Sequence, residues 1–224
     1  MHIIVAGGGG AIESRPLDET FAQWVGFNGR LLYLPIAMDG VNRSYHENLA
    51  WLESVFMPHG VVNITMCTEL DNCLGRELNF FNAIYLGGGN TPRLLHLLRT
   101  TAFDKALLHF ARTGGAVYGG SAGAIVLGRH IGTSAHLDAN EDHLTDLAGL
   151  NLVQGYAIWC HYQPADDERI QAYIRQTGHP VLALSESGGA CLEGARLRAC
   201  GYEAVRVFRG NVNQFFRPGE EIKF

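Results

Sequence analysis

Short apolar runs recur along the 224-residue chain with amphipathic stretches between them. The runs "HIIVA", "RLLYLPI", "VVNITM", "NAIYLGG", "AVYGG" and "PVLALS" are rich in β-branched and aromatic residues and have strand length. Between them, "RPLDETFAQWVGFNG" carries Pro16 near a helix start and Gly29 beyond its end. In "SYHENLAWLESVFMPHG", Ser44 is followed by Glu47 in a capping box, and Pro58 and Gly60 close the segment. "TPRLLHLLR" and "AFDKALLHFARTGG" read as two further helices, the second stopping at Gly114. Strands that alternate with helices predict parallel βαβ units: an α/β, doubly wound and mostly parallel sheet with helices on both faces. After Cys191 the segments shorten to "ACLEGARLRACG", "EAVRVFRG" and "EEIKF", separated by Gly, Asn and Pro, which predicts a small antiparallel C-terminal part. No repeat or linker interrupts the pattern, so residues 1–224 are expected to form one domain.

Composition narrows the function. Hydrophobic residues make up 47% of the chain, enough for a substantial core. The formal charge of -5 is spread without like-charge runs, which argues against nucleic acid or an anionic membrane as partner. The start "MHIIVAGGGG" has neither the basic opening nor the long apolar stretch of a secretory signal, so a cytoplasmic location is expected. Cys67, Cys73, Cys160, Cys191 and Cys200 are odd in number and include no Cys-x-x-Cys pair, and reduced, packed thiols are expected. Apolar faces on the first helices would suit a homodimer, and core packing explains them equally well.

Two glycine clusters follow expected strands, Gly7 to Gly10 in "AGGGGA" and Gly87 to Gly89 in "YLGGGNTP". Neither completes a dinucleotide or phosphate-loop pattern, because Glu13 stands near the third glycine position of the first and no Gly-Lys-Ser/Thr exists. Gly119-Gly120-Ser121-Ala122-Gly123 matches the Gly-x-Ser-x-Gly turn that exposes a nucleophilic serine between a strand and a helix. The same residues also suit a serine that caps a helix, and the local sequence leaves both readings open. A base would have to come from elsewhere, and His161 ends the strand-like run "GYAIWCHYQP". Glu186 follows another expected strand, while Asp138, Glu141, Asp142 and Asp146 are competing acids. The polar run "HLDANEDHLTD" lacks recognised zinc spacing and reads as a flap or surface loop, so no metal is expected.

Taken in order, "YLGGGNTPRLLHLL", "YGGSAGA" and "WCHYQP" resemble the serine peptidase family that contains dipeptidase E and cyanophycinase. The resemblance runs from about Asn82 to Ser187 and implies a flavodoxin-like α/β fold and hydrolysis of short peptides without metal or organic cofactor. It implies Ser121 as nucleophile, His161 as base and Glu186 as orienting acid, with an oxyanion hole from the amides of Gly88 or Gly89 and of Ala122. Asn90 would shape the glycine loop, and His136, Asp138 and Arg169 would lie on the substrate side. Two departures stand out. The family's aspartate after the serine helix falls on His136, with Asp138 two residues beyond, and its specificity arginine falls on Asp166. An acid there repels an aspartyl substrate, so a weak preference for Asp-Xaa dipeptides is expected. An anion-binding module without catalysis, and an esterase or amidase with the same residues, are the competing readings.

Overall fold

The computed structural model describes residues 1–38, 44–71 and 78–223. Five adjacent parallel strands make up most of its larger sheet: β1 (His2–Ala6), β2 (Arg30–Leu34), β3 (Asn63–Met66), β4 (Ala83–Leu86) and β5 (Ala116–Gly120). Two antiparallel strands, β8 (Gly188–Glu193) and β9 (Arg196–Gly201), complete seven in the order β3-β2-β4-β5-β1-β8-β9. Side chains alternate across this sheet, as the two-residue period of a strand requires. Ile3, Val5, Leu32, Leu34, Ile84 and Leu86 enter one buried cluster, and Ile4, Leu31, Tyr33, Ala83, Tyr85 and Tyr118 the other.

Helices cover both faces. On the tyrosine side lie α1 (Arg15–Val25) and α2 (Tyr45–Phe56). On the other lie α3 (Thr91–Thr100), α4 (Phe103–Arg112) and the short α5 (Ala122–Leu127). The expected capping box is present at α2, with Ser44 accepting from the Glu47 amide and Glu47 accepting from that of Ser44. Helix α1 stops earlier than expected, at Val25, because Gly26 takes a φ of 82° and leaves the helix.

The remaining strands build a second sheet, β11-β10-β7-β6, from β6 (Ala157–Trp159), β7 (Val181–Ala183), β10 (Val205–Arg209) and β11 (Val212–Phe216). It packs on α6 (Asp167–Thr177) through Trp159, Ile170, Ile174 and Phe208. "PVLALS" and "GYAIWCHY" therefore leave the main sheet that the repeating pattern suggested. The strand "VNQFF" fills a stretch expected to be connecting, whereas "EEIKF" supplies only a bridge from Glu221 to Arg198. Its last residue, Phe224, lies outside the described residues.

Cysteine usage also differs from expectation. Cys160, Cys191 and Cys200 are free, but Cys67 is disulfide-bonded. Neither an odd count nor the lack of Cys-x-x-Cys excludes a single bridge. Cys73 lies outside the described residues. Among the described residues, no helix is long and apolar enough to cross a membrane.

Candidate active site

Loops from both sheets meet beyond the carboxyl ends of β1, β4, β5, β6 and β7. Backbone bonds hold them together: the His161 amide donates to Gly7 O at 2.9 Å, the Gly7 amide to Gly188 O at 3.0 Å, and the Tyr162 amide to Leu184 O at 2.9 Å. The loop after β1 is thereby tied to residues that follow β6 and β7.

Ser121 stands between β5 and α5 with φ 49° and ψ -111°, a backbone conformation that L-residues seldom adopt. The flanking glycines permit the turn. A Cβ on Gly119 would lie 2.5 Å from the Gly123 carbonyl carbon, and one on Gly123 would lie 2.4 Å from Leu86 O. Although Ser121 occupies the cap position of α5, its side chain makes no capping bond. Its Oγ lies 2.9 Å from Nε2 of His161 instead. The cap reading is therefore wrong at the level of the side chain.

On the far edge of the imidazole, Nδ1 of His161 is 3.4 Å from Oε1 of Glu186. That contact is loose for a hydrogen bond, and the Glu186 side chain is 63% exposed. Asp138 is engaged elsewhere. Its Oδ2 accepts from the Thr91 hydroxyl at 2.6 Å and the Thr91 amide at 3.1 Å, which fastens its loop to the start of α3. Asn90 makes a parallel anchor, accepting from the Arg93 amide and donating to Ala139 O, both at 2.8 Å. Of the other acids, Asp142 approaches His96 at 4.0 Å and Asp146 pairs with Arg99 at 3.1 Å, while Glu141 lines a groove beside Arg93.

His136 lies flat on Trp159, with ring centroids 4.4 Å apart and planes inclined by 15°. Partial desolvation, and then the nearby Arg169, lower its pKa from the ordinary value. Arg169 itself pairs with Asp166 at 3.3 Å, and Asp166 also accepts from the Gln163 amide at 2.9 Å. Gly88 lies close to Ser121: a Cβ there would stand 3.3 Å from Cβ of Ser121. Its neighbour Gly89 needs its positive φ of 134° to pass Ala37. Cys160 packs beneath the site with its thiol 3.5 Å from Ser121 O, and burial pushes that thiol far above the usual range. It stays protonated and is no rival nucleophile.

Gly8 was not anticipated from sequence. It lies against the His161 ring, in the glycine cluster that resembled a nucleotide loop. The sequence signal was the cluster itself, and only the fold shows what comes close to it.

The model of peptidase family S51 matches residues 3–199. The chain belongs to peptidase family S51. Within reach of this family, the chain is 30% identical over 143 residues to Peptidase E of Streptomyces coelicolor, an alignment covering 59% of this chain and 58% of that one. It thus spans little more than half the length of that relative. Similarity to YgaJ of Bacillus subtilis, an uncharacterised peptidase, extends further, at 28% identity over 211 residues, 88% of this chain and 83% of YgaJ. A similar fold is seen in the crystal structure of a peptidase from an acI-B1 Actinobacterium, with a TM-score of 0.73 at 18% identity, covering 100% of this chain and 96% of that one. The resemblance read from three sequence motifs is borne out at the level of family and fold.

Proposed function

We propose that the chain is a serine peptidase of short peptides, with Ser121 as nucleophile, His161 as general base and Glu186 as the acid that orients the imidazole. The observation that carries this reading is the 2.9 Å approach of Ser121 Oγ to His161 Nε2 from a strained turn. In the first step Oγ attacks the scissile carbonyl carbon while its proton passes to Nε2. Collapse of the tetrahedral intermediate then breaks the C–N bond, and the proton on Nε2 goes to the leaving amine. Water repeats the sequence on the acyl-serine and releases the acid. Amides of Gly88 or Gly89 and of Ala122 would face the oxyanion, where loss of one donor costs about 3 to 4 kcal/mol.

Substrate preference within this reading departs from aspartyl dipeptides. Arg169 is paired with Asp166 at 3.3 Å, and that acid stands where an arginine would be needed to hold a substrate carboxylate. Turnover of Asp-Leu far above that of Ala-Leu and Lys-Leu would contradict this.

Intact-mass measurement after treatment with a fluorophosphonate tests the central claim. A single adduct on wild type and none on Ser121→Ala is the expected result. An unlabelled, folded wild-type protein would overturn it and favour non-catalytic binding.

A further inference from the structure

Beside Ser121, a cleft of about 300 Å³ opens between the loops after β1 and β4. Six glycines, from Gly8 to Gly10 and at Gly87, Gly88 and Gly120, form its rim and walls. Tyr33, Trp51 and Tyr85 supply the deeper surface, with Met38 and Asn48 completing it. The aromatic rings are preset. Tyr85 stacks on Tyr118 with centroids 4.5 Å apart, and the rings of Tyr33 and Trp51 meet Tyr85 edge-on at 5.7 and 6.4 Å. Asn48 is 3% exposed, and its Nδ2 is committed to Ser44 O.

Among the described residues, no charged side chain lines this cleft. Two carboxylates stand just outside, Glu13 near Gly10 at the rim and Asp18 behind Tyr118. An acidic group in the cleft would lose water, meet no cation among the described residues and be repelled by both carboxylates. A flat apolar group would gain edge and face contacts with rings that need not rearrange.

We infer that this cleft is the substrate subsite for an aromatic or large apolar side chain next to the scissile bond. The inference rests on the peptidase reading, because it takes Ser121 as the point of attack. It assigns selectivity to Trp51, whose indole is the most accessible of the three rings, while Tyr33 and Tyr85 are 2% and 5% exposed and serve as the backing.

Comparison of kcat/KM for Ala-Ala, Phe-Ala, Ala-Phe and Asp-Ala on wild type and Trp51→Ala tests it, with fluorophosphonate labelling of Ser121 followed in the same samples. Wild type is expected to favour one of the Phe peptides over Ala-Ala by about tenfold or more, the effect of seating one large apolar side chain. In Trp51→Ala that ratio should fall to about threefold or less while labelling persists. Equal use of all four peptides by a labelled wild type, or a preference that survives in Trp51→Ala, overturns the subsite and leaves the Ser121 reading standing. Absence of labelling in wild type overturns both. Should Trp51→Ala fail to fold, Trp51→Leu keeps apolar volume without the ring, and the same ratio decides.

Discussion

Gly8 and His161 touch so closely that a Cβ on Gly8 would stand 2.3 Å from Cε1 of the imidazole. Gly8 also holds a φ of 110° that other residues rarely take. Gly8→Ala should therefore move the base away from Ser121. Displacements of about 1 Å at a catalytic group cost on the order of 100-fold in rate. The expected outcome is a kcat/KM lower by about that factor, with circular dichroism unchanged and fluorophosphonate labelling slowed.

The acid assignment separates by the kind of damage. Glu186→Gln should lower kcat by roughly 10- to 100-fold with little change in KM or melting temperature, because the contact to Nδ1 is loose and exposed. Asp138→Ala should instead cost about 1 to 3 kcal/mol of stability, since it leaves the Thr91 hydroxyl and amide without their acceptor. Denaturant melts beside steady-state kinetics distinguish the two. If Asp138→Ala abolished kcat in a protein of normal stability, the acid would have been misassigned.

Strain at Ser121 predicts a stability signature. Ser121 pays for its positive φ in every folded molecule, and glycine meets no Cβ penalty there. Ser121→Gly should be more stable than Ser121→Ala by about 1 kcal/mol, read from paired thermal melts. Both variants should be inactive.

Asp18 gives a pH signature. It is buried between α1 and β5, its Oδ2 lies 2.6 Å from the Ser14 hydroxyl, and Tyr118 also bonds to it. Burial raises its pKa from 3.8 to about 6. The native state therefore holds this proton where the unfolded chain has lost it, so this group's contribution to stability falls as pH rises from about 4 to about 6 and is constant above. Asp18→Asn removes a penalty of at most about 3 kcal/mol at pH 7. The variant's gain in melting temperature should be largest above pH 7 and vanish near pH 4. A gain independent of pH would contradict the assignment.

Much of this was legible in the chain. The five parallel strands and four of the helices follow from apolar period and from local stop signals such as Pro16, Ser44 and Gly114, which act within a few residues. Ser121 and His161 were legible through the motifs around them. Membership of the second sheet was not, because whether "PVLALS" pairs with β1 or with β6 is settled by contacts far apart in sequence. Strand β11 escaped because its residues are mostly exposed, so its sequence shows no buried face. Asp138 and Thr91 are 47 positions apart, and the aromatic cleft draws on three separate elements, so neither leaves a local trace.

Serine and glycine loops hang from one sheet, histidine and glutamate from the other, and β1 closes onto β8 near the far end of the chain. On a ribosome, Ser121 emerges long before its partner His161, and Gly7 waits still longer for Gly188. On the proposed reading, a nascent chain carries Ser121 before the imidazole that would activate it has been made. The approach of Ser121 to His161 therefore forms only once strands of both sheets have been made, so local folding of either sheet alone does not assemble it.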